Sequence, residues 1–236
     1  MPSHEYDGDY FKKTRSNVGL LLTTMRPLWG RWVKIIRGYK SDGRLLDIGC
    51  GEGYFLQYAE KYYEAYGIDV SDYCISEAYR RTKKTKLSTG SIAHIDYGNE
   101  FFDAVTCFDV LEHLDDPEAA VRECNRVLKP GGVLVIRIPN TSSLGANWKK
   151  EEWFGYKDTT HKSLLSNEGW LSVLQGNNFE VLSIFYDGLW DTPYLRYIPK
   201  ILQDIFIKFP SLVLFSLGTK YSKKYGENLC MIARRL

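Results

Sequence analysis

Leu45-Leu46-Asp47-Ile48-Gly49-Cys50-Gly51-Glu52-Gly53-Tyr54-Phe55 reads as a buried strand that breaks into a glycine turn and then opens a helix. Gly49, Gly51 and Gly53 remove Cβ atoms where the backbone must turn sharply and let a ligand lie against it. The turn, including Cys50, makes a nucleotide-sized site. A dinucleotide fingerprint carries its last glycine three residues after the second, whereas here the pattern is G-x-G-x-G and position 54 is Tyr. That spacing disfavours diphosphate recognition.

A second strand follows in Ala65-Tyr66-Gly67-Ile68-Asp69-Val70, an apolar run ending in a carboxylate. An acid at such a strand end accepts hydrogen bonds from the two ribose hydroxyls and repels a 2′-phosphate. Asp69 is therefore the candidate ribose clamp. Further along stand Phe102-Asp103-Ala104-Val105-Thr106-Cys107-Phe108-Asp109-Val110-Leu111-Glu112-His113-Leu114 and Leu128-Lys129-Pro130-Gly131-Gly132-Val133-Leu134-Val135-Ile136. Taken in order, these four motifs resemble the class I S-adenosylmethionine-dependent methyltransferases over roughly residues 40 to 187.

The alternation of elements predicts an α/β chain. Strands are expected at Arg44 to Ile48, Ala65 to Asp69, Lys86 to Thr89, Ala104 to Phe108, Val133 to Pro139, Phe179 to Tyr186 and Asn228 to Arg234. Crossover helices are expected at Tyr54 to Tyr63, Tyr73 to Lys83, Glu118 to Leu128 and Asn167 to Gly176. Such alternation implies a mostly parallel seven-stranded sheet wound on both faces, Rossmann-like, and the resemblance implies an antiparallel last strand. Leu21, Met25, Leu28, Trp32 and Ile36 recur at helical spacing over residues 18 to 37, with Pro27 near a break or kink. Residues 1–39 form an expected N-terminal lid and helical segment before a domain over 40–236. That domain carries a substrate-loop insertion at 140–165 and a helical insertion at 188–226. Within the second insertion Ile198, Ile201, Leu202, Ile205, Phe206 and Phe209 describe an amphipathic cap helix, expected to be buried and to end at Pro210.

Composition narrows the classes of function. With 236 residues, 44% of them hydrophobic, the chain can bury a large core. Its formal net charge of +2 supplies no basic footprint for nucleic acid. Five scattered cysteines without a C-x-x-C pair read as reduced core thiols, and residues 1 to 17 lack an apolar leader core, so a cytoplasmic location is expected.

The resemblance implies S-adenosylmethionine as cofactor and a small-molecule acceptor, whether sugar, lipid-linked or aromatic, methylated on oxygen or nitrogen. It places Asp47, Gly49 and Gly51 at the methionine end and Asp69 on the ribose. Val70 is placed against the adenine, and Phe108 and Asp109 beside the sulfonium. Gly90-Ser91-Ile92 stands where relatives carry an acid before an apolar residue, so Ser91 would accept from the adenine amino group more weakly and Ile92 would cover the ring. For a base, histidine suits neutral pH. His161 in Asp158-Thr159-Thr160-His161 and His113 after the fourth strand are the candidates, and each could equally tie its loop in place. Trp148, Trp153, Phe154 and Tyr156, with Tyr6, Tyr10 and Phe11, could stack on an acceptor or pack a lid. No pair of residues along the chain has metal-ligand spacing, and no metal is expected. The competing readings are a nicotinamide oxidoreductase, opposed by the glycine spacing, and a binding module that keeps the cofactor pocket without turnover.

Overall fold

A computed structural model describes residues 26–236; the expected lid residues Tyr6, Tyr10 and Phe11 and the helical positions before Arg26 lie outside them. Seven strands, β1 (Arg44–Ile48), β2 (Glu64–Asp69), β3 (Lys86–Thr89), β4 (Phe102–Phe108), β5 (Leu128–Pro139), β6 (Phe179–Tyr186) and β7 (Asn228–Arg235), form one sheet in the order β3-β2-β1-β4-β5-β7-β6. Strands β1 to β5 pair in parallel, and β7 inserts antiparallel between β5 and β6. From β1 the chain builds outward in one direction through β2 and β3, then crosses to β4 on the other side. Their carboxyl ends therefore diverge at the β1/β4 boundary, where open α/β sheets bind ligands.

The period-2 alternation of the central strands feeds two cores. Leu46, Ile48, Val105, Cys107, Leu134 and Ile136 point to one face and pack with Val121 and Cys124 of α4 (Pro117–Val127) and Trp170 and Leu174 of α7 (Asn167–Gly176). Leu45, Ala65, Ala104, Val133 and Val135 point to the other face. There they meet Trp32 and Ile36 of α1 (Arg26–Arg37), Leu56 of α2 (Leu56–Ala59) and Ala78 of α3 (Asp72–Arg81). Local signals set the helix starts. The Ser71 hydroxyl accepts from Cys74 N–H at the start of α3, and the Asp116 carboxylate accepts from Ala119 N–H ahead of Pro117 in α4.

Three sequence expectations are corrected. Helix α2 covers only Leu56–Ala59 rather than Tyr54 to Tyr63: beyond it Lys61 and Tyr62 N–H bond three residues back, to Tyr58 O and Ala59 O, in tighter turns, and the buried Tyr63 hydroxyl donates to Lys40 O at 2.5 Å. Strand β5 begins at Leu128, not Val133: Leu128 pairs with Phe102, and a register shift between Phe102 and Ala104 takes up Lys129-Pro130-Gly131-Gly132. The cap helix does not stop at Pro210. It runs from α8 (Lys200–Gln203) through a π-turn at Asp204–Lys208 into α9 (Phe209–Leu217), the widened turn accommodating the N–H that proline lacks.

The cap helix also presents a different face from the one expected. Ile198, Ile201, Leu202, Ile205, Phe206 and Phe209 are exposed, whereas Leu212 and Phe215 are buried, the Phe215 ring lying tilted with its centroid 5.8 Å from that of Trp32 of α1. The first insertion carries two short helices, α5 (Leu144–Lys149) and α6 (Phe154–Lys157), and is joined to the second through Glu227, which is fully buried before β7. Its carboxylate accepts from Trp153 Nε1 and from the Tyr194 hydroxyl, each at 2.6 Å. Among the described residues no helix is long and apolar enough to cross a membrane. All five cysteines are buried free thiols.

Candidate functional site

The glycine turn lies at the carboxyl end of β1 with Gly49, Gly51 and Gly53 at φ +67°, +51° and +76°, a left-handed run that side-chain-bearing residues rarely adopt. A Cβ on Gly49 would collide with Val110, which follows β4, so the turn and the post-β4 loop are packed together. At Gly51 a Cβ would meet no atom within 4 Å. The turn is thus closed behind and open in front.

Two carboxylates face this opening from adjacent strand ends. Asp69 Oδ2 accepts from Gly51 N–H at 2.8 Å and Oδ1 from Ser71 N–H at 2.9 Å. Burial raises the Asp69 pKa despite these backbone donors. Asp47 is buried beneath the turn, and its Oδ1 accepts from the Thr106 hydroxyl at 2.7 Å. Burial pushes the Asp47 carboxyl up to about 7, against the Thr106 hydrogen bond and with the Asp69 charge adding to the rise. A left-handed glycine cradle with free space at Gly51, beside a strand-end carboxylate with lone pairs to spare, fits an adenosyl ligand carrying a ribose diol and an ammonium group.

The other expected cofactor residues are placed less uniformly. Val70 is half-buried immediately after β2, beside Asp69. Cys50 is buried against Gly51 O. Ser91 Oγ accepts from Ala93 N–H at 3.2 Å, while Ile92 is buried in the core with Leu46 and Ile68. Phe108 packs in an aromatic group with Trp32 at 4.8 Å and Phe55 at 5.3 Å, which seats α1 over the end of β4. Asp109 sits at φ +56° with its carboxylate ion-paired to Arg137 of β5.

Asp109 opens a second space. A cavity of about 510 Å³ lies at the ends of β4 and β5, lined by Asp109, Glu112, His113, Asp158 and His161 on one side and by Arg137, Trp190, Asp191 and Asn228 on the other, with Phe154 at its edge. Four carboxyl groups there face one guanidinium. Arg137 donates through Nε to Asp187 at 2.7 Å as well as pairing with Asp109. Burial opposes the Arg137 charge, but the two carboxylates outweigh it and raise its pKa. Trp190 Nε1 at 2.6 Å, Asn228 Nδ2 at 2.9 Å and Asn228 N–H at 3.2 Å also donate to the buried Asp187.

The two candidate histidines, 48 positions apart in sequence, are brought together with ring centroids 4.7 Å apart. Backbone N–H groups of Lys162 and Ser163 donate to Glu112 O at 2.8 and 2.9 Å and stitch their loops to one another. Hydrogen bonds also assign the tautomers. Gly155 O accepts from His161 Nδ1 at 2.6 Å, which leaves Nε2 with the lone pair. The Thr160 hydroxyl gives its single proton to Asp158 Oδ1 at 2.6 Å, so toward His113 Nδ1, 2.9 Å away, it accepts. His113 Nδ1 therefore carries the hydrogen. Partial burial opposes the Asp158 charge, and the Thr160 hydroxyl and N–H outweigh it, holding that carboxyl below the usual range. Near both rings is Glu112, only 1% exposed, whose Oε2 has no hydrogen-bond partner. Burial, reinforced by Asp109, drives its pKa well upward.

The sequence pointed to the two histidines, Asp109 and Phe154, but not to Arg137, Glu112, Trp190 and Asp191 as cavity residues. Arg137 had one signal, a lone cation interrupting the apolar run Val133-Leu134-Val135-Ile136-Arg137-Ile138. Glu112 stood next to a candidate histidine, yet its orphaned oxygen is a property of packing. Trp190 and Asp191 come from the second insertion, whose path no local pattern discloses.

A family model described as a methyltransferase domain matches residues 22–184. Two curated relatives resemble the chain over part of its length. A probable S-adenosylmethionine-dependent methyltransferase of Mycolicibacterium smegmatis is 34% identical over 104 residues, covering 43% of this chain and 40% of that protein. A ubiquinone biosynthesis O-methyltransferase of Alkalilimnicola ehrlichii is 33% identical over 132 residues, covering 50% and 51%. The chain thus spans about half the length, or less, of these relatives. A solved SAM-dependent methyltransferase of Thermotoga maritima shares the fold with a TM-score of 0.64 at 20% identity, covering 97% of this chain and 95% of that one.

Proposed function

This chain belongs to the methyltransferase domain family, and we propose that it transfers a methyl group from S-adenosylmethionine to an oxygen of a small-molecule acceptor seated in the cavity at the ends of β4 and β5. The observation that carries this reading is the adjacency of the two spaces. Val110 packs behind Gly49, while Asp109 and Glu112, on either side of it in the same loop, line the acceptor cavity.

S-adenosylmethionine supplies a methyl group on a sulfonium, whose departure leaves an uncharged thioether, so no oxyanion has to be stabilised. Positioning then does most of the catalytic work, worth on the order of 7–11 kcal/mol when donor and acceptor are held in a near-attack geometry. In this chain Asp69 would hold the ribose diol through the lone pairs that Gly51 and Ser71 leave free, Val70 would pack on the adenine, and Asp47 would accept from the ammonium end. Gly49 and Gly51 let the backbone approach. On the acceptor side His161, with Nδ1 turned to Gly155 O, has Nε2 as the ring atom that would take a hydroxyl proton, and His113 is held beside it with its Nδ1 turned to Thr160. Trp190 and Phe154 supply apolar walls.

The excess of carboxyl groups around the cavity favours a second acceptor class, a cationic amine. Methylation of a panel of phenols, sugars and amines, read by mass spectrometry alongside S-adenosylhomocysteine formation, separates the two. Transfer to hydroxyl acceptors supports the first reading, transfer confined to amines replaces it with the second, and donor binding without any turnover leaves a cofactor-binding module.

A further inference from the structure

We infer that Glu112, His113 and His161 form a binding site for one divalent transition-metal cation, of the zinc, cobalt or manganese class, with its open side facing the acceptor cavity. This rests on the reading of that cavity as the acceptor site and adds a ligand to it.

The three residues each offer one ligating atom, and these atoms lie within 4.8 Å of one another. Ligand atoms around a single cation at about 2.1 Å stand roughly 3–4 Å apart, so small side-chain rotations close the set. Two imidazoles and one carboxylate are a donor set that suits zinc and its neighbours and leaves coordination positions free. No sequence spacing shows this group: Glu112 and His113 come from the loop after β4 and His161 from a loop reached through three further helices and β5.

Three independent features point to a cation. Glu112 is buried with Oε2 unpartnered, an arrangement that is costly for a carboxyl group unless a proton or a metal occupies the space beside it. His161 has its Nδ1–H held by Gly155 O and His113 its Nδ1–H by the Thr160 hydroxyl, the second layer of hydrogen bonds that metal-bound imidazoles use to fix tautomer and direction. The lining is acidic, with Asp109, Asp158 and Asp191 against Arg137 in the same cavity and Lys149 pairing with Asp191 behind it. With a cation bound, His161 Nε2 would serve as a ligand in place of acting as base; the cation would draw an acceptor hydroxyl to its open side and make it more acidic, its proton passing to water, so that a bare oxygen is held toward the donor. The acidic lining then serves a metal rather than an amine substrate.

The test needs neither donor nor acceptor. Chelator-treated full-length chain is titrated with Co²⁺ and the d–d absorption followed, with diethyl pyrocarbonate labelling mapped by peptide mass spectrometry. One equivalent should saturate the band and protect His161 and His113 in the unaltered chain. Glu112→Gln and His161→Ala should each weaken cobalt binding by at least about tenfold. Absence of a saturable band, labelling of both histidines unchanged by metal, or wild-type cobalt affinity in the two variants would overturn the site. S-adenosylhomocysteine affinity, measured on the same metal-free protein, reports on the methyltransferase reading separately.

Discussion

Asp69 accepts the backbone N–H of Gly51 at 2.8 Å, so the carboxylate at the end of β2 closes the glycine turn at the end of β1. One side chain therefore shapes the cradle and faces its opening. This explains how a turn with three left-handed glycines stays ordered: the flexibility that glycine brings is removed by a charge-assisted hydrogen bond from a neighbouring strand.

Replacing that carboxylate tests both duties. Asp69→Ala is expected to weaken S-adenosylhomocysteine binding by about 1–3 kcal/mol and to lower thermal stability, since Gly51 and Ser71 lose their acceptor. Calorimetric titration and a melting curve on the same preparation check it; unchanged affinity in a folded variant removes Asp69 from the donor site.

His161→Ala should lower turnover at least tenfold while S-adenosylhomocysteine affinity stays within about twofold, because the ring faces the acceptor cavity and not the glycine turn. Equal turnover, in an assay using any acceptor found productive, would strip His161 of its catalytic part.

Asp47 makes stability depend on pH. With its carboxyl raised from 3.8 to about 7 by burial, the native chain holds a proton that the unfolded chain has released across the interval between those values. Its contribution is therefore full below about pH 4 and is lost as pH rises to about 7, with a slope of up to about 1.4 kcal/mol per pH unit. Asp47→Asn keeps an acceptor for Thr106 and cannot titrate. Urea denaturation at pH 5 and pH 7.5 should show the variant gaining on the wild type as pH rises, and parallel pH profiles would contradict the assignment.

Arg137→Met removes the single cation between Asp109 and the buried Asp187 and should destabilise the fold by about 3–5 kcal/mol, the cost of an uncompensated buried charge. Adding Asp187→Asn should recover part of that loss in chemical denaturation. Recovery of none would mean that Trp190 and Asn228 already compensate Asp187.

Much of the fold was legible because it is written in local periodicity. The apolar runs at Leu45, Ala104 and Val133, the cap signals at Ser71 and Asp116, and the boundaries of β3, α7 and β6 follow from hydrogen-bonding and burial patterns spanning only a few residues. Boundaries failed where the pattern did not carry the hydrogen bonding: α2 gives way to tighter turns at Lys61 and Tyr62, and pairing of Leu128 with Phe102 extended β5 back through two glycines. The cap helix misled for a similar reason. Periodicity identifies an apolar stripe but not which neighbour covers it, and the residues that face α1 are Leu212 and Phe215 from beyond Pro210.

By itself the chain determined a seven-stranded α/β sheet, the glycine turn with its strand-end acid, and the two histidines, since each rests on the geometry of adjacent residues. Only the tertiary structure decided what surrounds those histidines: the orphaned Glu112 beside them, Arg137 held by Asp109 and Asp187, and a cavity walled partly by an insertion from beyond β6. Such relations depend on how loops far apart in the chain close over the sheet, and burial and charge at that closure are set by packing rather than by any local pattern.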